Sequence, residues 1–121
     1  MKCEVGDIIV VNNFEYADGS KGTLHYFVII AINKDEFEIV NLDYLCFLIS
    51  SVTSKNNNVN INFPFNEPIS PTDENGLKFC GHVKCDMLYE TIKESDIIMR
   101  LGKITDEQYD RFMELYEESQ K

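Results

Sequence analysis

His25 stands where a polar turn runs into a long apolar strand, in the stretch DGSKGTLHYFVIIAI from Asp18 to Ile32. Asp18, Gly19, Ser20 and Gly22 suit tight or left-handed backbone, whereas Tyr26, Phe27, Val28, Ile29 and Ile30 favour sheet. An imidazole at the mouth of a rigid strand, beside a loop, can transfer protons near neutral pH; the alternative is a half-exposed strand-end histidine with no role. A second polar strand end follows: Ser50, Ser51, Thr53, Ser54 and Lys55 offer hydroxyls and one ammonium to a phosphate, or simply begin a loop. A third group, Cys80, His82 and Cys85, has the residue types of a zinc site. Strand alternation puts Cys80 and His82 on one side and Cys85 on the other. A tetrahedral site needs four converging ligands, so ordinary strand cysteines are the better reading, and neither metal nor cofactor is expected.

The elements that position these groups are mostly strands. Ile8 to Val11 follows Gly6-Asp7 and ends at Asn12-Asn13; Leu24 to Ile32 is the long strand, and Asn33 to Glu36 reads as a hairpin turn. Phe37 to Leu42 and Tyr44 to Ser51 are strand-like, Ser54 to Asn58 is a loop, and Val59 to Phe63 alternates as a short strand. Residues 64–77 hold all three prolines and read as irregular. Phe79 to Ile92 reads as one strand bent at Gly81, and Ser95 to Ile98 as a single helical turn. Only the C-terminus is clearly helical: Thr105 and Gln108 form a capping box. Tyr109, Phe112, Met113 and Tyr116 make one apolar stripe. The acids around that helix, Asp106 to Glu118, read as a solvated surface. The expectation is a mainly-β single domain over residues 1–121, a small curled antiparallel sheet or SH3-like barrel with a C-terminal helix.

Composition narrows the function. The chain has 121 residues, 44% of them hydrophobic, with eight Phe and six Tyr, enough for a packed core. Its net charge is −10, spread over both halves, and no basic stripe exists for generic nucleic-acid binding. A nuclease whose few cations converge on one groove remains compatible. Neither a signal peptide nor an apolar run of ~20 residues is present, so a cytoplasmic protein with reduced cysteines is expected.

The order of segments resembles the PemK/MazF family of small toxin endoribonucleases. Gly6-Asp7 with its apolar strand looks like the family's opening. Gly19-Ser20, Gly22 and the strand HYFVII look like its Gly-Ser loop leading into an Arg-Pro-apolar strand. Leu48 to Ser51 resembles the strand ending in Ile-Thr or Ile-Ser, with Lys55 beyond it. Asn75-Gly76-Leu77 matches a Gly-Leu turn, and Leu101 to Ile104 followed by TDEQYDRFMELY looks like the last strand and terminal helix.

The resemblance implies a barrel of CcdB/PemK type, usually dimeric. It also implies metal-independent cleavage of single-stranded RNA by attack of a 2′-hydroxyl on the adjacent phosphate, and a cognate antitoxin over the RNA groove. The positions that carry chemistry in many members match His25 and Ser50, with Lys21, Thr23, Ser51 and Lys55 as substrate-binding residues. This chain departs where His25 replaces the family arginine, Tyr26 replaces the proline after it, and Glu90-Thr91 stand for Arg-Thr. An arginine stabilises charge without readily moving protons; a histidine can act as acid or base for 2′-hydroxyl attack. The substitution therefore either keeps the activity by another route or marks its loss. Glu90 and the global charge oppose phosphate binding. The competing expectation is an acidic, non-catalytic inhibitor or nucleic-acid mimic on the same fold, its partner a basic protein.

Overall fold

The computed structural model of the chain describes residues 2–12, 19, 24–34, 37, 41–51 and 64–121. Among these residues run β1 (Asp7–Asn12), β2 (Leu24–Lys34), β3 (Asn41–Ser51), β4 (Asn66–Ile69), β5 (Gly81–Lys84) and β6 (Tyr89–Ile92). A short 3-10 turn (Glu94–Asp96), β7 (Ile97–Lys103) and α1 (Asp106–Ser119) complete the order. The strands are antiparallel neighbours in one sheet, ordered β4-β5-β3-β2-β1-β7, with β6 paired to β3 beside β5. The mainly-β sheet with a C-terminal helix is as the sequence suggests. It is not closed into a barrel: among the described residues β4 and β7 remain its two ends.

Three local readings change. The proline-rich stretch contains β4, where Pro68 sits opposite His82; an edge strand tolerates a residue without an N–H. Phe79 to Ile92 is two strands, because β3 accepts partners at two places on one edge. Ile49 to Ser51 pair with β5, and Tyr44 and Cys46 pair with β6. The helical turn expected at Ser95 to Ile98 is the 3-10 turn one residue earlier, and Ile97 and Ile98 belong to β7. The hairpin residues Asn33 and Lys34 extend β2, whereas Asp35 and Glu36 lie outside the described residues, as do the loop at Ser54 to Asn58 and the strand at Val59 to Phe63.

Alternation divides the sheet's side chains between two apolar clusters. One face contributes Ile8, Val28, Ile30, Phe47, Ile49 and Val83, and α1 covers it with Phe112 and Leu115. The helix starts where the sequence says: Thr105 Oγ1 accepts from Gln108 N at 3.1 Å, and Gln108 Oε1 accepts from Thr105 N at 2.9 Å. Tyr109, Met113 and Tyr116 pack against the same cluster, and the Tyr109 hydroxyl donates to Ile30 O at 3.1 Å. The other face contributes Ile9, Val11, Phe27, Ile29, Cys46 and Leu48. There the N-terminal segment closes over the sheet, with Cys3 N donating to the buried Tyr44 hydroxyl at 3.0 Å.

Candidate functional site

The second face changes character at one end. Val11 pairs with His25 across β1 and β2. Tyr26 pairs with Ile49 across β2 and β3, so one step further out along the same register His25 stands level with Ser50. Ser50 in turn pairs with His82 across β3 and β5. Residues level on neighbouring strands share a face. His25 continues the line of Phe27, and Ser50 the line of Leu48, both in the second cluster. His82 turns the same way, because its neighbour Val83 faces the helix-covered cluster. Apolar rows thus give way to a polar row, His25, Ser50, His82, across three adjacent strands. The sequence points to the first two and marks His82 only as a zinc-ligand type.

Gly81 lets this row close up. A β-carbon there would lie 2.3 Å from Ser50 O, inside any contact distance, so glycine allows β5 to approach β3 beside the site. Ser51 pairs with Gly81 and is exposed at the strand end. Lys21, Thr23 and Lys55 lie outside the described residues. Lys84, two residues along β5 from His82 and on the same side, is the described lysine nearest the row in register. Glu90 does not face this row. Its strand β6 pairs with β3 at Tyr44 and Cys46, and Ser50 lies four positions along β3 from Cys46, about 14 Å of strand.

Both histidines titrate below the ordinary value of 6.5. Burial lowers His25; burial, then the charge of Lys84, lowers His82. Each is therefore a neutral imidazole at pH 7, able to accept a proton or donate one N–H. Burial holds Cys3, Cys46 and Cys85 away from the thiolate form. Burial, with the nearby carboxylates Glu67 and Asp86, pushes the Cys85 thiol up to about 12, and its Sγ lies 3.5 Å from Val83 O. No group of three or more His, Cys, Asp or Glu among the described residues is arranged to hold a metal ion.

The remaining motif residues hold the scaffold. Gly6, at φ +94°, donates to Ile29 O at 2.7 Å, and its carbonyl accepts from Ile104 N at 2.9 Å. Asp7 is buried, accepts from Glu4 N at 2.7 Å and pairs with Arg100 Nε at 3.0 Å. Asn75 is also buried; its Oδ1 accepts from Thr72 N at 2.9 Å and Leu77 N at 3.0 Å, and its Nδ2 donates to Ser70 O. Gly76 lies at φ +69° with room for no β-carbon, which would meet Leu101 O at 2.1 Å. At the surface Arg111 pairs with Glu114 on α1, and Lys121, just beyond its end, pairs with Glu118, as expected of solvated acids.

At the same end of the sheet the helix-covered face opens into an apolar cavity of about 340 Å³ lined by Val10, Leu24, Tyr26, Phe79, Met99 and Leu101. Leu24 and Met99 are each 51% exposed, so the apolar surface runs out to solvent.

The chain's topology is found in a solved endoribonuclease in complex with its cognate antitoxin from Mycobacterial species. The two share 13% identity at a TM-score of 0.62, covering 95% of this chain and 91% of that one. At that identity the likeness speaks for the fold. A search of curated proteins finds no match. The family model of the PemK-like, MazF-like toxins of type II toxin-antitoxin systems matches residues 4–114, a span that runs from the Gly6-Asp7 turn through the polar row to the terminal helix, and this chain belongs to that family.

Proposed function

We propose that the chain is the toxin of a toxin-antitoxin pair and cleaves single-stranded RNA without a metal, with His25 as the base. The observation that supports this is the pairing of Tyr26 with Ile49, which, continued one residue outward, brings His25 level with Ser50 at the end of an otherwise apolar face. Neutral His25 accepts the proton of a 2′-hydroxyl. The 2′-oxygen then bonds to the adjacent phosphorus while the bond from phosphorus to the 5′-oxygen breaks. That oxygen takes a proton from water, and His25 returns its own to solvent. The products are a 2′,3′-cyclic phosphate and a 5′-hydroxyl. Ser50 donates a hydrogen bond to the phosphate as charge builds on it, and Lys21, Thr23, Ser51 and Lys55 hold the strand. The apolar cavity and exposed Leu24 and Met99 suit an antitoxin segment or a second copy of the chain. No helix among the described residues is long and apolar enough to cross a membrane, and the cytoplasm, where the substrate is, is the proposed location.

Purified protein incubated with single-stranded RNA in the presence of a chelator tests this. Cleavage leaving cyclic phosphate ends, slowed about a hundredfold or more in His25→Ala, is the expected result. Equal cleavage by both proteins removes His25 from the mechanism. Intact RNA, together with salt-sensitive binding to a basic protein, replaces the enzyme with the acidic inhibitor.

A further inference from the structure

His82 has a feature that strand packing does not explain. Its residue is only partly buried, yet Nδ1 is fully enclosed and has no hydrogen-bond partner among the described residues. A histidine kept for structure ties its ring down through that nitrogen; an enclosed, unpartnered nitrogen is a cost that the valine next to it avoids. The enclosed Nδ1 also fixes the chemistry of the ring. Protonating it would bury an N–H with no acceptor among the described residues, so the proton of the neutral ring stays on Nε2, at the accessible edge. His82 is thereby held as a donor that carries no charge and points a single N–H outward.

We propose that His82 is a third member of the site, donating Nε2–H to a phosphate of the RNA from the side of Ser50 opposite His25. The placement rests on the pairing of Ser50 with His82 and on Gly81, whose missing β-carbon lets β5 close on Ser50. Adjacent strands lie about 4.8 Å apart, so a phosphate over Ser50 is flanked by one imidazole on each side. Lys84 adds the charge that the neutral ring lacks. Among the described residues, the groups facing His82 are Cys80 and Lys84 on its own side of the chain, Ser50 and Leu48 on β3, and Asn66 and Pro68 on β4, of which Lys84 carries the charge. Its charge works with the enclosed Nδ1 to keep the ring neutral.

The inference rests on the proposed RNA cleavage, so two readouts separate the two. First, binding of an RNA whose 2′-hydroxyl at the cut site is replaced by hydrogen needs no cleavage. His82→Ala is expected to bind it about tenfold more weakly, and His82→Gln, which keeps an N–H near the Nε2 position, to recover to within about threefold. Second, a long-range proton–nitrogen NMR spectrum of the wild-type protein at pH 7 is expected to show the Nε2–H tautomer of His82. If the native protein leaves RNA intact, these two measurements still decide the role of His82. If it cleaves, His82→Ala should lower the rate without changing the shape of its pH profile. Binding by His82→Ala within about twofold of wild type, a Gln variant no better than Ala, or an Nδ1–H tautomer overturns the proposal. Loss of one limb of the pH profile in His82→Ala also overturns it, by making the residue a proton-transfer group.

Discussion

The two faces of the sheet are equally apolar through the middle of β2 and β3 and part company at the ends. On the helix-covered face Val28 and Phe47 are followed outward by the row Tyr26, Ile49 and Val83, then by Leu24 and an apolar cavity. On the other, Phe27 and Leu48 give way to His25, Ser50 and His82. The same strands carry both rows, so backbone geometry does not distinguish them. What differs is the demand on the side chains: one face excludes water, and under the proposed function the other meets a polar molecule. Substitutions on the first face should therefore cost stability and those on the second activity.

The largest separation is expected from Phe112→Ala, which empties the centre of the helix-covered cluster. It should cost about 4 kcal/mol in urea unfolding while leaving the rate per folded molecule unchanged. A large fall in rate at denaturant concentrations where the variant is still folded would show that the faces are coupled. His25→Ala should do the reverse, raising the barrier to cleavage by about 3 kcal/mol, a hundredfold, with under about 1 kcal/mol lost in stability. Gly81→Ala should blur the division, because its β-carbon forces β5 away from Ser50 O. A stability loss of about 2 kcal/mol should come with a fall in cleavage greater than the folded fraction explains. Thr105→Ala removes the capping oxygen bonded to Gln108 N; about 1 kcal/mol of stability should go, with cleavage intact.

The smallest effect is that of pH. His25 and His82 both have folded values below 6.5, so between 6.5 and those values the unfolded chain binds more protons. The two histidines thus make stability fall as pH drops through that window and level off below it. Activity should follow the same direction: the acid limb of kcat/KM, set by His25 in the free enzyme, should lie below pH 6.5. A limb above 6.5 would mean that a different group is the base.

How much of this was legible depends on the distance over which each decision is made. The cap at Thr105 and Gln108 is settled within one turn, and both hydrogen bonds form as read. The apolar stripe of α1 was legible too, although Leu115 joins Phe112 in the buried set. His25 and Ser50 stand out in the sequence because each lies next to a strand end, and the family resemblance gives them matching positions. His82 could not, because its place beside Ser50 depends on which strand docks on β3 and in what register, a choice made some 30 residues further along the chain. The same long-range pairing hid β4 and split the run from Phe79 to Ile92. It also puts β6, the strand of Glu90, beside Tyr44 and Cys46 of β3, four positions along the strand from Ser50.

The shared edge of β3 has a practical consequence for anyone rebuilding the molecule. Because β5 and β6 hold separate segments of that edge, each register is secured by its own hydrogen bonds, and the exposed Asp86 and Met87 between them only bridge a gap. A lengthened bridge costs little loop-closure entropy. It is the natural splice point for a reporter domain or an affinity tag, on the far side of β5 from the strand end that carries Ser50.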